Sequence, residues 1–112
     1  MRPLPNVHSL PEAIQVVIKE NKKDRYNPTY FTRVMANATD LVATCSHLIN
    51  SPSSYSALTD ALLSHPDLLT LEDFVAVHGV EWGFSPDIIE ETQRRVTVFD
   101  ELVKHKRYES TI

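Results

Sequence analysis

Apolar residues recur at every third or fourth position along most of this chain, the period of a helix that buries one face. Leu10, Ala13, Ile14, Val17 and Ile18 form the first such stripe, and Ser9-Leu10-Pro11-Glu12 has the form of a capping box at its start. Lys19 to Lys23 end it in polar residues. Asn27-Pro28 predicts a second, short helix with Asn as cap, Phe31, Val34 and Met35 on its buried face and Tyr30 beside them. Thr39 or Asp40 caps a third, which carries Leu41, Val42, Cys45, Leu48 and Ile49. Asn50-Ser51-Pro52-Ser53-Ser54 reads as a loop, since Ser and Asn compete for backbone partners and Pro52 stops a continuing helix.

A fourth stripe follows in Tyr55, Leu58, Ala61 and Leu62, closed by Ser64-His65-Pro66. Thr70 with Asp73 predicts a capping box for a short fifth helix through Phe74, Val75 and Val77, ending near Gly79. Ser85-Pro86-Asp87 opens the last and longest helix, whose stripe is Ile88, Ile89, Thr92, Val96, Phe99, Leu102 and Val103, fraying at Lys104 to Arg107. No stretch alternates as a strand does. The expected fold is all-α, a compact irregular bundle of five to six short helices, because no heptad pattern lasts three repeats. Residues 1–8, with Pro3 and Pro5, read as an extended arm, 9–107 as one helical domain and 108–112 as a tail.

Composition changes this picture mainly by exclusion. A chain of 112 residues, 42% hydrophobic, can build one core without a metal or disulfide staple. The single cysteine, Cys45, excludes an intrachain disulfide and fits a reducing compartment, with the cytoplasm as the default. No apolar run reaches the roughly 20 residues of a membrane span, and the first residues lack a signal-peptide core. Gly79 and Gly83 are the only glycines, too few for phosphate cradles of the P-loop or dinucleotide type.

Charge is polarised along the chain. From Ala36 to Glu91 there is no Lys or Arg, against nine acidic residues, while the two ends are net basic. Solvated faces partly neutralised inside the fold account for this most simply, with Arg94 and Arg95 in exposed pairs near acidic helix starts. An acidic face for a basic partner protein is the functional alternative, with Asp60, Asp67, Glu81, Trp82 and Glu90 as candidate partner-binding residues. The basic ends offer another, nucleic-acid binding, with Lys22, Lys23, Arg25 and Arg33 as phosphate contacts.

Catalytic chemistry finds no foothold. None of the five histidines stands at metal-binding spacing, and Cys45 and His47, two residues apart on a helix, point to different sides. Glu72 and Asp73, like Glu90 and Glu91, lie near helix starts and are assigned to capping and dipole roles. Trp82 and Phe84 are read as a plug for one end of the bundle. No metal or cofactor is implied, and an enzyme would need a polar pocket that gathers His47, His78 or Cys45 with carboxylates from other helices.

Tyr26-x-Pro28-x-x-Phe31-x-x-x-Met35, Leu48-Ile49 with Ser51, Leu68-Leu69-Thr70-Leu71-Glu72 with Val75, and Trp82 with Phe84 before an amphipathic helix together resemble a small helical module of uncharacterised bacterial proteins. Its pattern reads G-Y-x-P-x-x-F-x-x-M, a Leu-rich helix, D-L-T-x-E, W-x-x-L-F and a closing A-x-x-R-L helix, matched over about residues 25–100. Arg25 stands where that pattern has glycine, Val34 takes the place of its methionine, the Asp before Leu69 is missing, and Thr92 with Arg95-Val96 replaces the last helix's Ala and Arg-Leu. The resemblance implies a recurrent helical unit with a partner-binding or accessory role. Together these features predict a non-enzymatic module for protein interaction or self-association through the acidic central segment.

Overall fold

The computed structural model describes residues 4–111, with side chains through His105. Six helices follow in order: α1 Leu10–Lys23, α2 Thr29–Ala36, α3 Leu41–Ile49, α4 Pro52–Ser64, α5 Leu71–His78 and α6 Pro86–Thr111. The architecture is all-α, with no strand among the described residues and the last helix longest. None of these helices is long and apolar enough to cross a membrane.

The helix starts show how local chemistry sets the elements. Ser9 Oγ accepts from the Glu12 amide, while the Glu12 carboxylate reaches one residue beyond the box, to the His8 amide. Asp40 caps α3 through the Ala43 amide. At α5 the capping box is complete, because Thr70 Oγ1 accepts from the Asp73 amide and Asp73 accepts from the Thr70 amide.

Two starts differ from expectation. Pro28, not Asn27, is the N-cap of α2, and no side chain caps that end; the Thr29 amide instead donates to the Asn27 carbonyl. Pro52 begins α4 rather than stopping α3, since proline lacks only an amide that the first turn leaves unpaired, and Ser51 caps it through the Ser54 amide.

Helix ends are equally specific. The Tyr26 amide donates to Asn21 O and the Arg25 amide to Lys22 O, a Schellman closure of α1 with Arg25 at φ 62°. After α5 the same pair recurs, Phe84 N to Gly79 O and Gly83 N to Val80 O, with Gly83 at φ 86°. α5 ends at His78 with Gly79 as its C-cap, where the spacing places its end, and the left-handed residue of the turn that follows is Gly83. Gly79 itself is helical, and a Cβ there would lie 2.6 Å from Val75 O and 2.9 Å from the Ile89 side chain, so its role is close approach of α5 to α6. The last helix continues to Thr111 rather than ending near Arg107, because no Gly or Pro follows Pro86. Residues 108–111 of the expected tail thus lie within α6; Ile112, and residues 1–3 of the expected arm, lie outside the described residues.

Three apolar clusters merge into the core. Leu10, Ile14, Cys45, Ile49, Val75, Phe84 and Ile88 join α1, α3, α5 and α6. Val7 of the arm is buried with Ala13, Val17 and Phe74, which docks the arm on α1 and α5. Leu62, Leu68, Phe99 and Val103 fasten α4 to α6. Phe84 is buried and Trp82 half-buried against the first two clusters, the plug geometry expected of them.

Candidate functional site

α2 packs on α3, while α4 packs on α3 and α6, and between α2 and α4 the bundle is parted by a cleft of about 540 Å³. Tyr26, Pro28, Tyr30 and Phe31 form one wall, and Ser54, Ala57 and Leu58 the other. Leu48 and the entry to α5, from Leu69 to Glu72, also line it, and His47 contributes an exposed side chain. The Schellman turn of α1 carries Tyr26 into this wall, where its ring lies 5.6 Å from that of His65. Tyr30, expected beside the buried face, is 63% exposed, and Arg33 stacks over it at 5.8 Å.

Among the described residues Glu72 is the one acidic residue of the lining, and it is almost wholly buried. Its Oε2 accepts from Arg95 Nη1 at 3.2 Å. Arg95, expected at the surface, is buried, because its fork also donates to Leu48 O at 3.3 Å and Ser51 O at 2.9 Å, and its Nε to Glu91 at 3.4 Å. Tyr55 covers the guanidinium, whose carbon lies 5.2 Å from the ring centre. One side chain of α6 thereby ties down the C-terminus of α3, the cap of α4 and the first turn of α5.

Burial pushes the Glu72 carboxyl above its ordinary range, against the pull of its own amide and of Arg95. The neighbouring Cys45 thiol is pushed up to about 12 by burial and, secondarily, by the Glu72 charge. Glu91 moves the other way, held low by its hydrogen bonds to Arg94 and Arg95. Glu72 was expected to serve the helix dipole; it stands in the first turn of α5, but faces inward. Asp73 keeps the expected capping role.

A second polar anchor closes the cleft near its α1 side. Asn21 is buried, donates from Nδ2 to Leu69 O and accepts at Oδ1 from Leu69 N, both at 3.1 Å. Asn21, Glu72 and Arg95 were all missed by reading polar residues as surface. Each stands on an apolar stripe, Asn21 four after Val17, Glu72 three before Val75 and Arg95 four before Phe99, and that placement was the available signal.

The candidate partner-binding residues do not converge. Asp60 is exposed on α4 and Glu90 on α6, while Asp67 lines a depression with Glu20, Lys23 and Asp24. Glu81 hydrogen-bonds His78, whose ring stacks on Trp82 at 4.7 Å, and Trp82 lines a different depression beside His8 and Asp40. The candidate phosphate contacts Lys22, Lys23 and Arg25 share the C-terminal end of α1, with Arg33 on α2, all exposed. Lys23 is paired with Glu20 at 3.3 Å.

Of the groups an enzyme would need, His47 and Glu72 share the cleft, Cys45 is buried and His78 pairs with Glu81. Ser51 Oγ caps α4. Among the described residues no three His, Cys, Asp or Glu side chains are placed to hold a metal ion. The chain matches no family model, no curated protein and no solved structure.

Proposed function

We propose that this chain is a non-enzymatic helical binding module that receives a segment of a partner protein in the cleft between α2 and α4. The observation that carries the reading is the cleft itself. It has the volume and mainly apolar lining of a recognition pocket, with a few polar groups at its base, and an exposed tyrosine at its lip. The acidic surface is the weaker part of the original expectation, since Glu72 and Asp73 turn inward and Glu81 and Glu91 are engaged by His78 and by Arg94 and Arg95. A reducing compartment, the cytoplasm, suits the free buried thiol of Cys45.

The test is selection of random displayed peptides on the full chain, followed by amide shift mapping. Selected peptides are expected to shift Tyr26 to Phe31 and Ser51 to Leu58, and Tyr30→Ala to weaken them without loss of helicity. Shifts confined to other faces overturn the reading. Retention on RNA or DNA that falls steeply with salt, without peptide binding, would favour the basic residues near the termini instead.

A further inference from the structure

Resting on that reading, we infer that the partner segment is acidic: its apolar side chains fill the gap between α2 and α4, and carboxylates beside them meet Arg33 at the lip and His47 on the α3 side. Charge complementarity carries the choice. Arg33 is exposed and lies over Tyr30, itself a lining residue, and His47 lines the cleft with an exposed ring. That ring donates a hydrogen bond in either protonation state and can carry only positive charge. Arg25 adds an exposed guanidinium next to Tyr26, where the chain turns from α1 into the wall.

Acidic groups do not offset these cations. Glu72 is buried and held by Arg95, so its charge is met within the fold. Asp73 accepts from the amide and the hydroxyl of Thr70. α2 and α3 hold no acidic residue and α4 only Asp60, a turn past Ala57, while Asp24 lies 3.7 Å from His65 Nδ1. The first turns of α2, α4 and α5 all contribute to the lining, and the N-terminal end of a helix favours negative charge in the same sense. Exposed ion pairs steer encounter and choose among partners more than they add affinity, so the apolar side chains hold the segment and its carboxylates select it.

The experiment uses the selected peptides on the full chain. Peptides that bind in the cleft are expected to share Asp or Glu beside apolar anchors, and replacement of each carboxylate by its amide to weaken binding about twofold to fivefold, mainly through the on-rate. Raised salt should shrink that difference. Arg33→Glu and His47→Glu, both at exposed positions, should remove the acidic preference with the urea midpoint nearly unchanged. Arg33→Glu should also recover binding of peptides whose carboxylate is replaced by lysine.

Peptides that bind in the cleft equally well as their amides, that carry basic groups instead, or whose carboxylate effect persists in both variants overturn the inference and leave the binding module standing. No peptide in the cleft overturns both. Single-stranded RNA that binds through Arg33 and His47, with no peptide in the cleft, would make these cations phosphate contacts and overturn both likewise.

Discussion

Arg95 on α6 and Glu72 on α5 form an ion pair at 3.2 Å whose side chains are 2% and 4% exposed, and the same guanidinium holds the carbonyls of Leu48 and Ser51. Three stretches distant in sequence, around residues 48–51, 72 and 95, meet at one planar cation. Desolvation of both charges offsets much of their attraction, so the pair's main consequence is that neither partner can be lost alone.

Arg95→Met is therefore expected to destabilise the fold by about 3–5 kcal/mol, because it leaves a buried carboxylate without its cation and takes from the Leu48 and Ser51 carbonyls the second of their two donors. Arg95→Lys should recover less than half of this, since an ammonium cannot span the fork's acceptors. Urea unfolding of the two variants measures the difference; a loss below about 1 kcal/mol for Arg95→Met would be that of a surface pair.

The pH dependence of stability follows from the directions of two shifts. Glu72 is raised in the fold, so its contribution is full below its ordinary value of 4.5 and lost as pH rises through its higher folded value. Glu91 is lowered, so its contribution is present above 4.5 and lost as pH falls through its lower folded value. Acidification from neutral pH to 4.5 should thus stabilise the wild type relative to Glu72→Gln. Stability curves of the two proteins that stay parallel over that window would show that Glu72 titrates normally.

Cys45 should resist thiol reagents in the native state, given full burial and a thiol pushed up to about 12. Labelling at mildly alkaline pH is expected to run at least about a hundredfold slower than in denaturant, limited by opening of the core. Equal rates in both conditions would place the thiol at the surface.

Asn21→Ala is expected to cost about 1–3 kcal/mol, because it strands the buried Leu69 amide and carbonyl that the side chain satisfies together. Asn21→Asp should be little better, as a carboxylate cannot donate to Leu69 O. Thermal unfolding separates these from Lys22→Ala on the exposed face, which should leave stability within about 0.5 kcal/mol.

Arg25→Gly should stabilise the fold by up to about 1 kcal/mol, and Gly83→Ala should destabilise it by a similar amount, since both positions lie in the left-handed region. Denaturation midpoints of the two variants moving in the same direction would contradict this account.

Helical period, caps and breakers are local signals, and they alone determined the six helices, the Thr70–Asp73 capping box and the inward faces of α1, α3 and α6. They were ambiguous where one residue has two local uses: Pro52 can stop a helix or start one. Only the tertiary structure decided that Asn21, Glu72 and Arg95 belong inside, because burying a polar group depends on a partner, and here each depends on one at least 23 positions away. The cleft is likewise invisible along the chain. It arises from how α2 and α4 are set apart on α3, a consequence of packing that no stripe of apolar residues encodes by itself.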